Sequence, residues 1–216
     1  LTPPVMQALL SECDLVVAMR LHGVILAAKA GTPVVAISYA DKVAEAVQAD
    51  FSCRPREITL ITDIGASISA MKHAKKHLRK WMKAQRRPTI FPLNVLGGRS
   101  RIEYQPLGVV GIISPWNFPV SMVFAPMAGA LAAGNRVMIK PSEFTPATSE
   151  VLAELIKDAY DPKEAVLFTG GPELGQAFSN LPLDHLLLTG ATSVARHIMA
   201  AAARNLVPVT LELGGK

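Results

Sequence analysis

The sequence contains little cysteine: only Cys13 and Cys53 occur among 216 residues. Two cysteines are too few for a disulfide framework and are typical of the reducing cytoplasm, where we place the protein. We interpret both as ordinary structural or surface thiols, and we predict no metal site. No secretory signal peptide is recognisable. Because the chain begins at Leu1 and ends on Lys216 without a closing element, we expect both ends to be cut.

Charge is unbalanced, with 22 basic against 17 acidic residues and a net charge of +5. Much of the basic excess lies in one short stretch, 72–87, that includes Lys72, Lys75, Lys76, Arg79, Lys80, Lys83, Arg86 and Arg87. Such a run can bind nucleic acid, but neither interleaved aromatic residues nor a nucleic-acid motif accompanies it. We therefore interpret it as the solvated face of a helix and predict no nucleic-acid partner.

The run 109–133 is long and almost uncharged, so we first consider whether it is a membrane span. Pro115, Asn117 and Pro119 interrupt it, however, and would leave backbone groups unsatisfied in lipid. Basic clusters and aromatic belts that would flank a span are also missing. We therefore predict no membrane partner.

The segment 106–141 predicts a strand, a helix and a second strand. Val109–Ser114 is short, apolar and rich in β-branched residues, as expected of a strand buried on both faces. Residues Ser121–Ala133 suit a helix that ends at Gly134-Asn135, and Arg136–Lys140 suits a strand. A strand, a covering helix and a parallel strand form one βαβ unit.

The same alternation continues to the end of the chain. We expect a long helix over 57–85 and a strand over 99–105 before this unit; after it, helices over 148–160, 173–179 and 192–204 and strands over 165–169, 186–189 and 209–213. Strands that alternate with helices predict an α/β fold with a doubly wound parallel sheet. The G-x-G-x-x-G fingerprint of dinucleotide-binding folds is absent.

Residues 1–47 differ in character and predict a small βαβ-like segment, with helices over 5–13 and 21–30 and strands over 14–19 and 33–38. The text DLVVAMRLHGVILAAKAGTPVVAISYADKV resembles polysaccharide pyruvyltransferases. In that family an Arg-x-His pair contacts the phosphoenolpyruvate donor, and Arg20 and His22 match it; the alternative is an ordinary surface arginine and helix histidine. Most of such an enzyme is missing, so we expect an inactive fragment fused near residues 42–50.

Three motifs occur further along the chain: PWNFP at 115–119, GNRVMIKPSE at 134–143 and LELGGK at 211–216. They resemble NAD(P)-dependent aldehyde dehydrogenases, and the intervening text is most similar to the coniferyl-aldehyde dehydrogenase group. The resemblance runs from about Asp50 to the end. It implies an N-terminal helix and oligomerisation-type strands over 48–105, an incomplete NAD-binding domain over 106–216, and homo-oligomers in intact members.

The resemblance implies two catalytic residues. Asn117 matches the family's oxyanion-hole asparagine, whose amide stabilises the developing alkoxide; without the flanking motif it would equally suit an Asx-turn cap. Glu212 matches the general base that activates water. We expect its carboxylate to be buried or half-buried, with a glutamate on an edge strand that faces water as the alternative.

The resemblance also implies a cofactor site for NAD or NADP. The matching positions are Ile113, Ser114, Pro115 and Trp116 beside the nicotinamide; Lys140, Ser142 and Glu143 beside the adenosine ribose; Gly170, Gly171 and Gly175 beside the adenine; and Gly190, Thr192 and Gly214. A carboxylate at Glu143 should repel a 2′-phosphate, which favours NAD. The alternative is a surface ion pair with Lys140. Ala191 and Ala195 depart from the family's usual serine and glycine.

The family oxidises an aldehyde to the carboxylic acid, and the resemblance implies an aldehyde of the aromatic coniferyl type. Its nucleophilic cysteine lies beyond the last motif, so we expect this chain to be an inactive fragment. The alternative is a pyruvyl or glycosyl transferase fragment joined to a non-catalytic dinucleotide-binding module.

Overall fold

The computed structural model describes residues 16–18 and 34–214, with side chains from residue 39 onward. Two short strands, β1 (Val16–Ala18) and β2 (Val34–Ala36), pair in parallel. Both lie within the strands predicted over 14–19 and 33–38. The helices predicted over 5–13 and 21–30 lie outside the described residues, as do Arg20 and His22.

Helix α1 (Ile37–Phe51) follows β2 directly and was not predicted. Val43 and Val47 lie about one turn apart on it and are buried with Ile112 and Leu152 of the main sheet and its covering layer. Burying a side chain of this kind contributes roughly 1.5–3 kcal/mol. The predicted boundary after residue 47 therefore falls inside a helix that packs against the following domain.

The long helix predicted over 57–85 is a helical run with one irregular turn. It comprises α2 (Arg56–Thr59), a π-helical turn over Leu60–Gly65, and α3 (Ala66–Trp81). The run ends before residue 85 because Gln85–Arg87 forms strand β3, which pairs antiparallel with β4 (Ser100–Ile102). The prediction of a strand near 99–105 is confirmed, and its partner strand was missed.

The main sheet has five parallel strands in the order β7-β6-β5-β8-β9. They are β5 (Val109–Ile113), β6 (Arg136–Lys140), β7 (Ala165–Leu167), β8 (His185–Gly190) and β9 (Val209–Leu213). The helices between them are α4 (Ser121–Ala132), α5 (Pro146–Ala159), α6 (Pro172–Ser179) and α7 (Thr192–Ala203). The prediction of a doubly wound parallel α/β sheet is confirmed.

Two hydrophobic clusters cover the two faces of this sheet. Ile112 and Ile139 point into the cluster that contains α1, α4 and α5 residues. Leu186 and Leu188 point into the other cluster, together with Ile198 of α7. Side chains alternate between the faces of a strand, so apolar strands of this kind require cover on both sides.

The order of strands reverses beside β5, because β6 lies on one side of it and β8 on the other. In open parallel sheets such a reversal opens a crevice at the carboxyl ends of the strands. Within the described residues, no helix is both long enough and apolar enough to cross a bilayer.

Candidate functional site

The predicted site residues follow the carboxyl ends of the five parallel strands, which lie at one edge of the sheet. Ser114–Asn117 follow β5, Pro141–Glu143 follow β6, and Gly170-Gly171 lie just after β7. Gly190 ends β8, and Glu212 lies in β9. The sheet topology therefore brings all of these segments to the same edge, although it does not place every side chain in one cleft.

Lys140 and Glu143 form the most sharply defined polar pair at this edge. Lys140 Nζ donates to Glu143 Oε2 at 2.6 Å, and the lysine is 3% exposed. The alternative interpretation of a surface ion pair is therefore wrong for the lysine. Partial burial alone would raise the pKa of Glu143, but the hydrogen bond from Lys140, a backbone hydrogen bond and the nearby ammonium together lower it. Glu143 is consequently an anion at neutral pH.

A cleft of about 610 Å³ opens between α6 and α7 beside this pair. Four predicted residues line it: Ile113, Lys140, Glu143 and Gly175. Sequence reasoning missed its other walls, which include Pro172, Val194, His197, Ile198 and Arg204. No sequence motif marks those positions. The packing of α6 against α7 decides which of their side chains face the cleft. Apolar walls with a few polar groups at one end are typical of small-molecule sites.

A smaller cleft of about 210 Å³ adjoins the first. Ser142, Glu143, Gly170 and Gly171 line it, so Glu143 borders both spaces. The glycines leave room there: a Cβ at Gly171 would meet nothing within 4 Å, and one at Gly175 would meet only Lys140 Cε at 3.8 Å. Neither glycine therefore fills the space beside the Lys140–Glu143 pair.

Ser114 carries a buried hydroxyl at the end of β5. Its backbone N–H donates to the Lys140 carbonyl oxygen at 3.2 Å, but its Oγ has no hydrogen-bond partner within the described part of the chain. Buried hydroxyls are almost always hydrogen-bonded. The orphaned Oγ therefore fits a site completed by a bound group.

The N-terminus of α7 also points to anion binding. Its first residue is Thr192, and no side chain among the described residues caps it. Uncapped N–H groups at a helix start favour phosphate groups. Ala195, which replaces the family's usual glycine, is 2% exposed and packs in the core below, so it does not obstruct the helix start.

Asn117 lies in the loop between β5 and α4 and is exposed. Its side chain makes no hydrogen bond in the described part of the structure, so the alternative role as an Asx-turn cap is not observed. Its carbonyl oxygen accepts a hydrogen bond from Arg54 Nη1 at 2.8 Å. Trp116 beside it packs against Phe51 of α1 with ring centroids 6.1 Å apart.

Glu212 differs from its predicted environment. It is exposed on β9, paired with Thr189 of β8. The expectation of a buried or half-buried carboxylate is wrong for this structure, because β9 is the outer strand of the sheet within the described residues. The alternative, a glutamate on an edge strand facing water, is observed.

The two clefts do not gather every predicted residue. The predicted residues that line neither of them are Ser114, Pro115, Trp116, Asn117, Gly190, Thr192, Glu212 and Gly214. Cys53 is exposed and not in a disulfide. The described geometry thus defines the cleft beside Lys140 and Glu143, and places the predicted catalytic residues only by their position along the sheet edge.

Comparison with known proteins agrees with this architecture. The family model "Aldehyde dehydrogenase family" matches residues 32–216, and "Polysaccharide pyruvyl transferase" matches residues 1–41. A "Probable coniferyl aldehyde dehydrogenase" of Caulobacter vibrioides is 56% identical over 83% of this chain and 37% of its own length. A coniferyl aldehyde dehydrogenase of a Pseudomonas species is 54% identical over 82% of this chain and 36% of its own. The chain therefore spans a little over a third of these relatives.

Solved structures give the same result. A NAD+ complex of an aldehyde dehydrogenase from Bacillus cereus superposes with a TM-score of 0.73 at 29% identity, covering 100% of this chain and 39% of that one. A substrate-bound AldH from Staphylococcus aureus superposes with a TM-score of 0.72 at 36% identity, covering 82% of this chain and 41% of that one.

Proposed function

Because the chain belongs to the aldehyde dehydrogenase family, we propose that it supplies the NAD-binding part of an enzyme that oxidises an aldehyde to its carboxylic acid. The observation that carries this proposal is the cleft between α6 and α7, with the Lys140–Glu143 pair at one wall. The Glu143 carboxylate can accept hydrogen bonds from vicinal ribose hydroxyls, and the apolar walls of the cleft suit a flat base.

Different residues at this edge of the sheet would contact different parts of the bound NAD. Lys140 holds Glu143 by their ion pair, so that the carboxylate is fixed before a ligand arrives. The N–H groups at the start of α7 would face a pyrophosphate, and the orphaned Ser114 hydroxyl fits a ligand group near the end of β5. A bound nicotinamide would supply the hydride acceptor.

The ionised Glu143 also supports a preference for NAD over NADP. An anion beside the ribose disfavours a 2′-phosphate, because two negative charges at short range repel each other. The lowered pKa of Glu143 keeps this repulsion in force at neutral pH.

Two residues are proposed for the chemistry itself. Asn117 would donate its amide to the carbonyl oxygen as negative charge develops there. Glu212 would act as the base that activates water, and its exposure in the described residues leaves it accessible to solvent.

Neither cysteine of this chain matches the family's nucleophile. Cys53 is exposed outside the sheet edge that carries the site, and Cys13 lies outside the described residues. We therefore propose that the 216-residue chain binds NAD without turning over an aldehyde.

An aromatic aldehyde of the coniferyl type, a homo-oligomeric assembly and a cytoplasmic location complete the proposal. The substrate is inferred from the coniferyl aldehyde dehydrogenases that are 56% and 54% identical to this chain. The location follows from the scarcity of cysteine.

Calorimetric titration of the purified chain with NAD+ tests the proposal. We expect saturable binding by the wild type and loss of binding in Gly175→Leu, whose side chain would project into the cleft beside Lys140. Gly97→Leu would be a poor control because Gly97 has a positive φ of 86°. Gly129→Leu is the matched control, since its site is open and remote from the cleft. Absence of NAD+ binding by the folded wild type would contradict the proposed cofactor site. Oxidation of coniferyl aldehyde by the purified chain would contradict the predicted lack of turnover.

A further inference from the structure

A buried ion pair supports the loop that carries Asn117. Arg54 Nη2 and Asp63 Oδ2 are 2.6 Å apart, and their side chains are 11% and 0% exposed. Neither residue belongs to the predicted site. Removing two charges from water is costly, and only good geometry with further hydrogen bonds recovers that cost. The additional partners of Arg54 and Asp63 therefore show which parts of the chain the pair holds together.

Arg54 holds the loop at its centre. Its Nη1 donates to the Asn117 carbonyl oxygen at 2.8 Å, while Nη2 also donates to Thr62 Oγ1 at 3.0 Å. The guanidinium carbon lies 5.3 Å from the centre of the Phe118 ring and 5.2 Å from that of Phe51. The planar fork of arginine donors can make these contacts at once, which a lysine ammonium does not reproduce.

Asp63 holds the end of the same loop. Its Oδ1 accepts hydrogen bonds from the N–H groups of Val120 at 3.2 Å and Ser121 at 3.1 Å, where α4 begins. The first N–H groups of a helix lack partners within the helix, and a carboxylate there also interacts favourably with the helix dipole. One carboxylate thus caps α4 and binds Arg54.

The π-helical turn over Leu60–Gly65 contains Asp63. An inserted π turn changes the direction of the side chains that it carries, and such turns are frequent at functional sites. Ser67 Oγ in the first turn of α3 donates to the Asp63 carbonyl oxygen at 2.7 Å and so links α3 to the π-helical turn.

We propose that Arg54 and Asp63 are positioning residues for the Asn117 amide. The pair fastens the loop between β5 and α4 at Asn117 and at Val120–Ser121, while the Asn117 side chain makes no hydrogen bond within the described chain. The backbone is held and the amide stays available to the carbonyl oxygen of the aldehyde. This role rests on the proposed function of Asn117. A donor held in place before the reaction needs no reorganisation as charge develops.

The test uses NMR on the 216-residue chain, with backbone amide exchange at the loop and the heteronuclear NOE of the Asn117 side-chain amide as readouts. The variants are Arg54→Lys and the double variant Arg54→Met/Asp63→Asn, which leaves no unpaired charge buried. Arg56→Met is the matched control, because it removes the exposed Arg56–Asp41 ion pair two residues away.

Arg54→Lys should keep a cation beside Asp63 and preserve the slow exchange of Val120 and Ser121. It should lower the Asn117 side-chain NOE, because the fork that reaches the Asn117 carbonyl is lost. The double variant should lower the NOE equally. It should also speed the exchange of Val120 and Ser121 about tenfold, because a charged acceptor becomes a neutral one. General destabilisation would instead speed exchange in β6 and β8 as well.

An Asn117 NOE equal to that of the wild type in both variants would overturn the positioning role. Uniformly faster exchange across the sheet would overturn it as well. Titration with NAD+ in parallel separates the two ideas. A wild type that does not bind NAD+ contradicts the proposed function, whereas normal NAD+ binding with an unchanged loop contradicts only the positioning role.

Discussion

The carboxylate of Asp50 in α1 caps α5 at Thr148. Its Oδ2 accepts hydrogen bonds from the Thr148 N–H at 2.8 Å and from the Thr148 hydroxyl at 2.6 Å, and its Oδ1 accepts one from the Ala147 N–H at 3.0 Å. Asp50 and Asp63 thus have the same role. Each carboxylate accepts hydrogen bonds from the first N–H groups of a helix, Asp50 at α5 and Asp63 at α4. Both helices directly follow loops of the candidate site.

Replacement of Asp50 by alanine should lower the free energy of unfolding by about 1–2 kcal/mol, because the N–H groups at the start of α5 lose their acceptor. Urea denaturation measures the change. Asp50→Asn should cost less, since an amide oxygen can still accept one of these hydrogen bonds. Glu45→Ala is the control, because Glu45 lies exposed on the same helix. Equal stability of Asp50→Ala and the wild type would show that the cap contributes nothing.

Val47→Ala should destabilise the protein by about 2 kcal/mol, from the loss of two buried methyl groups and the cavity that remains. Val47 is 0% exposed and packs in the cluster beneath the main sheet. Val95→Ala, at a residue 70% exposed, should change little. The comparison decides whether α1 is part of the domain, as its packing indicates. A neutral Val47→Ala would place the domain boundary after residue 47, where the sequence puts it.

Glu143→Gln should raise the affinity for NADP+ relative to NAD+, because the 2′-phosphate no longer meets an anion beside Lys140. The Lys140 ammonium, released from its ion pair, would attract the phosphate instead. Titration calorimetry with both dinucleotides measures the ratio of the two dissociation constants. Glu57→Gln, at an exposed position on α2, makes the same change of charge away from the cleft. An unchanged ratio in Glu143→Gln would remove Glu143 from cofactor selection.

The lowered pKa of Glu143 predicts how its contribution to stability depends on pH. In the unfolded chain the carboxyl titrates near its ordinary value of 4.5, and in the folded protein it titrates below that value. The unfolded state therefore binds more protons between the two pKa values, so stability falls as the pH falls through this window. Above 4.5 the contribution is complete.

Paired urea titrations of the wild type and Glu143→Gln, from neutral pH down through this window, check the sign. We expect the stability difference between them to be constant above the ordinary pKa and to shrink as the pH approaches the folded pKa. A stability difference that grows on acidification would mean that folding raises the pKa of the Glu143 carboxyl, as burial alone would do.

The sequence by itself determined the main sheet, because each of its strands carries a local signal. The strands Arg136–Lys140 and Val209–Leu213 were predicted with the bounds that the structure shows. A parallel strand covered on both faces is apolar almost throughout, and glycine, proline and asparagine mark its ends. The family resemblance implied a cofactor role for Lys140, Glu143 and Gly175, and the structure places all three beside one cleft.

Only the tertiary structure decided which groups meet across the fold. Arg54, just after α1, and Asp63, in the π-helical turn, contact the Asn117 loop from more than fifty residues earlier in the chain, and no local pattern records such a contact. Glu212 is exposed because its strand lies at the edge of the sheet, which depends on what packs beside it. Local sequence specifies helices, strands and turns; burial and hydrogen-bond partners depend on residues that are distant in sequence, and these become neighbours only once the chain has folded.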